Sequence, residues 1–511
     1  MRVVARLVVT LTAFAAFAAC GPGKAGQSIC DNTVPPPAAC MSQCDPSPSA
    51  ANSCPSGYHC AADGFCDALC TPGGNQCGDG YTCTADGRCK GEGDCEGLEC
   101  NVTACQSQGK PETSISGTVF APNGTLPLYG ITVYIPNAPL PAMPDGAQCS
   151  RCSDDLPGQP LARATTDESG HFVIQGNVPA GANIPLVITS GKWRRQITIP
   201  SVSECADTAA SIQDTRLPKN KMEGDIPKIA VTTGSYDSLE CLIRKLGIDD
   251  AEITTGAGAG RVHLYQGNGV GAFKAGWPGG AGAMTSATNF WDDSNKLKPY
   301  DIVILSCEGE QMGTAKDQGD LNAMRDYADI GGRVFASHWH NVWIGGYWET
   351  GLSLPDPTPD PVIADWAAVA TWKNNTNPNP AVDVIDEVMN PKGVSFANWM
   401  KVVEPNITRG EIPLAFDTER STVTALTNKA ERWTYTKGDG NKPQNFQFTT
   451  PQNVAADQRC GKVVFSDMHV SGMAGGGEYP DSCVNANVFT PQEKALAFML
   501  FDLASCVGVL L

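Results

Sequence analysis

The sequence predicts three fold classes in succession: a small disulfide-rich module, an all-β sandwich, and an α/β domain with a mostly parallel sheet. Three observations carry this. Thirteen of the 22 cysteines crowd into residues 30–105, the density of a small module stapled in an oxidising compartment. Between about 113 and 202, short β-branched runs recur between turn signals, as they do in all-β chains. From KIAVTTG at 228 onward, short apolar runs alternate with helical periodicity, the pattern of a parallel sheet covered by helices. A chain of 511 residues accommodates about three such domains.

The chain starts MRVVARLVVTLTAFAAFAAC, with Arg2 and Arg6 ahead of an apolar run from Leu7 to Ala19. That run is too short to span a bilayer, so residues 1–19 read as a signal peptide. Its ending, FAAC, resembles a bacterial lipoprotein signal. The resemblance implies cleavage before Cys20, a lipid on Cys20, a Pro-, Ser- and Ala-rich tether over 20–53, and a place in the cell envelope, on the outer membrane or cell surface. Asp plus Glu outnumber Lys plus Arg by 54 to 36, for a net charge of −18, with no basic run. Binding to nucleic acid draws on clustered cations, so no nucleic-acid partner is expected.

Residues 54–110 hold an internal repeat. CPSGYHCAADGFC at 54–66 recurs as CGDGYTCTADGRC at 77–89, a period of 23 residues. Asp63–Gly64 and Asp86–Gly87 suit tight hairpin turns, so each copy is expected to be a two-stranded loop closed by disulfides. Zinc is disfavoured, because no CxxC pair of pairs is present and export favours disulfides. The units resemble the EGF-like or Dickkopf-like modules of extracellular proteins, which bind or space. With Cys20 set aside, 21 cysteines remain, an odd number that leaves at least one outside an internal disulfide.

In the next segment, ISGTVF, ITVYIP, HFVIQG, IPLVITS and RRQITIP are the predicted strands of the sandwich. Thr166, Asp167, Gly170, Phe172 and the run Val178, Pro179, Ala180, Gly181 resemble the carboxypeptidase regulatory-like domain. That resemblance covers 111–205 and implies a transthyretin-like, carbohydrate-binding-like fold without catalysis. Cys149 and Cys152 interrupt the segment as a CxxC. Redox CxxC pairs open a helix, and no helix is signalled here, so a structural staple is expected. Residues 203–226 read as a polar linker.

In the α/β domain, 226–511, KIAVTTG is the first strand. Asp237 with Glu240 forms a capping-box pattern for the following helix, and Gly247 suits its left-handed end. The glycine-rich run 256–282 does not sit between a strand and a helix, so it is expected to be loop around the short strand RVHLY. Two buried strands follow, Ile302 to Leu305 and Val334 to Ala336, separated by a helix over 320–332 that Gly331 and Gly332 stop. AVDVIDEVM is predicted as a helix. ERWTYT and NFQFTT flank GDGNKP as a hairpin at one edge of the domain. GKVVFSDMH is another buried strand. Thr490, Pro491 and Glu493 start a final helix, which is apolar nearly all round and therefore internal.

Chemistry collects at the strand ends, where ligands bind in open parallel sheets. Cys307, Glu308 and Glu310 follow one strand, His338 and His340 the next, and His469 a third. The candidate catalytic residues are His338, His469 and Glu308. The candidate binding residues are His340, Trp339, Trp343 and Glu310. His and Glu serve acid/base chemistry near neutral pH, so no cofactor is required, while a divalent metal at His338, His340 and His469 is the alternative. Trp339, Trp343 and Trp348 offer an aromatic platform for a sugar ring, or plain core packing. Cys307 is expected in a disulfide, given Cys241, Cys460, Cys483 and Cys506 in the same domain.

YDIVILS, GGRVFASH and GKVVFSDMH together resemble the class I glutamine amidotransferase-like superfamily, and within it the trehalose-utilisation, ThuA-like branch. The resemblance covers 226–511 and implies a flavodoxin-like three-layer sandwich. At the position of the amidotransferase nucleophile this chain has His338, followed by Trp339 and His340 with no elbow glycine, which argues against glutamine hydrolysis by that route. Three functions stand open: an exported surface protein that binds a carbohydrate-related ligand or an extracellular protein, an envelope enzyme using His338 and His469, and a structural envelope lipoprotein.

Overall fold

The computed structural model describes residues 97–511 apart from Ser153, 349–357, 378–381, 416–419, 471–476, 484–487 and 508–511, together with Cys95 and four short strands before residue 97. The chain forms two compact units, 1–96 and 97–511. In the first, His59–Cys60 pairs antiparallel with Cys66–Asp67, and Tyr81–Cys83 with Cys89–Gly91. Each repeat copy thus contributes an antiparallel pair of strands, and the Asp-Gly pairs expected to turn between them lie outside the described residues. The signal sequence, Cys20 and the tether lie outside the described residues.

The second unit opens with two small sheets. One has the order Trp193–Val202, Gly181–Ser190, Thr132–Pro136, Pro160–Thr165; the other has Asp207–Ala209, Ser114–Thr118, His171–Ile174. Alternation sets their faces. Phe172 and Ile174 are buried between exposed His171 and Val173, and they share a core with Ile115, Val133, Ile135, Ile184, Leu186 and Ile188. Asp167 shapes the turn before that strand: its Oδ1 accepts from the Ser169 and His171 amides at 2.8 and 2.9 Å. The predicted linker is more ordered than its polarity suggests, since Asp207–Ala209 adds a parallel strand beside Ser114–Thr118.

The α/β part contributes strands β1 (Ile229–Thr232), β2 (Ile253–Thr255), β3 (Val262–Tyr265), β4 (Ile302–Leu305), β5 (Arg333–Ser337), β6 (Ala370–Thr376), β7 (Val382–Ile385), β8 (Glu411–Pro413), β9 (Ser421–Leu426), β10 (Glu431–Thr436), β11 (Pro443–Thr450) and β12 (Gly461–Ser466). Its longer helices are α1 (Leu239–Lys245), α2 (Gln318–Asp329), α3 (Gly393–Val403) and α4 (Pro491–Ala504). Ten strands make one sheet in the order β2-β3-β1-β4-β5-β12-β11-β10-β7-β8. The first six run parallel and the last four antiparallel. The central parallel strands are buried along their whole length, as expected when both faces are covered. β6 and β9 form a separate antiparallel pair.

The helix signals hold with two exceptions. Thr490 and Glu493 close a capping box at α4, and Asp317 and Asp320 do so at α2. At α1 the N-cap is Ser238. Asp237 instead accepts from Ser337 Oγ at 2.7 Å and from the Val470 amide at 3.2 Å. AVDVIDEVM is not a helix. Val382–Ile385 is strand β7, recruited by pairing with β8 and β10, a case of tertiary context overriding local pattern. The β10–β11 hairpin forms as expected but lies inside the sheet, because β7 and β8 extend beyond it.

The cysteines also differ from expectation. Cys149 and Cys152 each pair with a distant partner, Cys460 and Cys506, rather than with each other. Cys241 pairs with Cys483 and Cys105 with Cys205. Cys307 is a free, buried thiol. The expected disulfide at Cys307 fails because those four cysteines are bonded elsewhere. No helix among the described residues is long and apolar enough to cross a membrane.

Candidate functional site

Pairing across the sheet builds the site in two rows. Thr434 faces Asn445, Asn445 faces Ser466, and Ser466 faces Ser337. Ser306 and Thr233 extend this row one residue past β4 and β1, and all six side chains are fully buried. It is a ladder of small polar residues at the carboxyl end of the sheet. The next residue on each strand points to the opposite face, and there stand Cys307, His338, Asp467 and Gln444. The sheet order also reverses between β1 and β4, the kind of place where open α/β sheets bind ligands. Cys307 follows β4 at that point. Gly234 follows β1, and a Cβ there would lie 2.2 Å from the Cys307 carbonyl oxygen, so only glycine allows this approach.

Cys307 Sγ lies 3.5 Å from His338 Nδ1, and His338 Nε2 lies 3.2 Å from Asn375 Oδ1 on β6. The amide oxygen accepts only, so Nε2 carries the proton and Nδ1 offers its lone pair to the thiol. The sulfur also accepts from the Trp339 and Gly309 amides. His338 has φ 38°, a left-handed conformation that costs a non-glycine residue energy and marks functional turns. The His338 and His469 rings are 5.0 Å apart at 61°. Ligating atoms of Cys307, His338 and His469 all lie within 4.8 Å of one another. His469 Nε2 is buried without a hydrogen-bond partner.

Burial dominates the electrostatics. It pushes the Cys307 thiol up to about 12 and holds His469 down to about 3. His338 is held well below its ordinary value, first by burial and then by the neighbouring His469 and Arg420. Both imidazoles are therefore neutral, as ligands to a metal must be. Asp467, raised to about 7 by burial, accepts from the Thr422 amide and hydroxyl at 2.7 and 2.9 Å. A buried thiol raised this far is a poor nucleophile.

The other sequence candidates have different places. His340 donates from Nε2 to the Ser306 carbonyl at 2.9 Å and accepts from Trp343 Nε1 at 2.9 Å. Both ring nitrogens are thus committed away from His338, because the chain after β5 turns into a short 3-10 helix instead of continuing as strand. Glu308 pairs with buried Lys316 at 2.6 Å, which fastens the loop after β4. Glu310 is exposed. Trp343 is buried against Trp291, with ring centroids 5.3 Å apart, so it belongs to the core and not to a platform. Trp339 is half-buried, 4.6 Å from the His338 ring. The structure thus brings together His338, His469, Cys307 and Trp339, and places His340, Glu308, Glu310 and Trp343 elsewhere. Asn375 and Asp467 join the site unannounced. Asp467 had a signal, since it ends the same strand as His469; Asn375 had none.

No family model matches the chain, and no curated protein does. Among solved structures, a type II cohesin–X-dockerin complex from Acetivibrio cellulolyticus, an N-terminal interface mutant, is similar over 27% of this chain and 85% of that chain, at 19% identity and a TM-score of 0.16. A likeness this slight carries no argument about function.

Proposed function

We propose that the chain is an exported, lipid-anchored binding protein of the bacterial cell envelope that holds a small ligand at the carboxyl edge of its α/β sheet. One observation carries the reading: Cys307, His338 and His469 converge beside the point where the strand order reverses. The order β3-β1-β4-β5-β12 supports a flavodoxin-like domain over 226–511, since flavodoxin-like sheets share it. The disulfides Cys149–Cys460 and Cys152–Cys506 favour an oxidising compartment, in keeping with a lipid on Cys20 and with cysteine-rich and regulatory-like modules over 54–110 and 111–205. Trp339 gives the edge an apolar rim suited to a carbohydrate-related ring.

A second reading, an envelope hydrolase, is favoured by the unbroken relay from Cys307 through His338 to Asn375. The full burial of Cys307 places it second. Two experiments test the binding reading. Labelled palmitate should enter the wild type and not Cys20→Ser. Native mass spectrometry of protein released from the envelope should show a bound species that His338→Ala loses. Unlabelled protein, or identical masses for both forms, would sink the reading, and stoichiometric alkylation of Cys307 with loss of a hydrolytic activity would favour the enzyme.

A further inference from the structure

We infer that Cys307, His338 and His469 form a binding site for a thiophilic divalent metal of the zinc class, a proposal that rests on the edge site above and names its ligand. A thiolate sulfur with two imidazole nitrogens is a donor set that zinc favours over harder cations. The spacing fits. With bond lengths of about 2.3 Å to sulfur and 2.0 Å to nitrogen, tetrahedral geometry sets sulfur and nitrogen about 3.5 Å apart and the two nitrogens about 3.3 Å apart. Sγ and His338 Nδ1 are 3.5 Å apart, and the whole set lies within 4.8 Å. A pair at the outer limit of that set closes by at most about 1.5 Å on binding.

Two independent features point to a guest. His469 is 2% exposed and its buried Nε2 has no partner, although buried polar atoms are satisfied almost everywhere in folded proteins. A plain thiol–imidazole hydrogen bond accounts for Cys307 and His338 but leaves His469 unexplained; a metal employs all three. The outer contacts are also those of a metal site. His338 gives its other ring N–H to Asn375 Oδ1 at 3.2 Å, as ligating histidines do, and the Gly309 and Trp339 amides point at the sulfur.

The three donors follow three adjacent parallel strands, β4, β5 and β12, so the ion ties their ends together. Three protein ligands leave a fourth position for water or an exogenous group. On binding, the Cys307 proton passes to solvent and its sulfur electrons form the metal bond. His340 is no ligand, since Ser306 and Trp343 occupy both of its nitrogens.

The test uses the full exported chain with its disulfides intact, dialysed against a weak chelator and analysed for metals. The wild type should keep about one zinc per chain, while Cys307→Ser and His469→Ala lose it at least tenfold and keep the far-ultraviolet circular dichroism of the wild type. Should either variant fail to fold, cobalt(II) titration of the wild type decides: a sulfur-to-cobalt charge-transfer band supports the site, and its absence overturns it. Metal content unchanged in both variants also overturns it, because the ion then sits elsewhere. An organic species lost from His338→Ala with no metal present would end the metal proposal and leave the edge site standing. The absence of both would end both.

Discussion

The Ser337 hydroxyl donates to Asp237 Oδ2 at 2.7 Å across 100 residues of sequence, and Asp237 Oδ1 accepts from the Val470 amide at 3.2 Å. One buried aspartate thus holds the residue before His338 and the residue after His469. It fixes the spacing of the two imidazoles without touching either. Asp237→Ala leaves two buried donors unsatisfied, each costing about 1–3 kcal/mol. A loss of about 3 kcal/mol is expected, read as a lower urea midpoint, together with altered imidazole resonances for both histidines. An unchanged midpoint would show that the aspartate does not bear this load.

His340 supplies a contrast to His338. Its ring donates to Ser306 and accepts from Trp343 in a closed core, so its work is structural. Replacement by Phe strands the Trp343 indole N–H and the Ser306 carbonyl, at a cost of roughly 2–4 kcal/mol. Because neither ring nitrogen faces Cys307, the variant that still folds at low temperature should keep its metal and its bound ligand. Loss of either at unchanged fold would move His340 back into the site.

These contrasts show where sequence was legible. Strand ends, caps and stops are local, so Thr490 with Glu493, the stop at Gly331 and Gly332, and the buried runs of β4 and β5 could be read directly. Pairing is non-local. Val382–Ile385 has apolar residues at spacings a helix also uses, and only its neighbours β8 and β10 make it a strand. Asn375 reaches His338 because β6 lies over the sheet, a layer no spacing reveals. Cys307 has four candidate partners in its own domain, but Cys149 and Cys152 in the β-sandwich claim Cys460 and Cys506, and Cys241 pairs with Cys483. His338 stands directly after a buried strand, a position the apolar run before it makes legible, while His340 two residues on is carried away by a 3-10 turn.

That CxxC loop is a clasp. It reaches from the sandwich to the residue before β12 through Cys149–Cys460 and to the end of α4 through Cys152–Cys506. The loops closed span 311 and 354 residues, and long closures restrict the unfolded chain most. Replacing the Cys152–Cys506 pair by serines should cost about 2–5 kcal/mol. Thermal unfolding should show this as a lower midpoint in the oxidised protein, with the difference from the wild type vanishing once both are reduced. A difference that survives reduction would assign the effect to packing at Cys506 and not to the crosslink.

Glu240, on the first turn of α1, sets a pH limit. It is 1% exposed, and neither carboxyl oxygen has a hydrogen-bond partner. Burial, reinforced by the Asp237 charge nearby, raises it from 4.5 to about 8. The folded protein therefore keeps this proton over a range where the unfolded chain has lost it. With the native state binding more protons, stability falls as pH rises from about 4.5 through about 8 and levels off above. A metal held by Cys307 and the histidines, as proposed above, would work in the opposite direction, since acid displaces such a metal. Glu240→Gln keeps the shape and removes the charge, so its urea midpoint should decline less steeply from pH 6 to pH 9 than that of the wild type, the remaining slope coming from groups such as Asp467. Parallel curves for the two proteins would show that Glu240 ionises without penalty and is not the group that limits the fold in alkali.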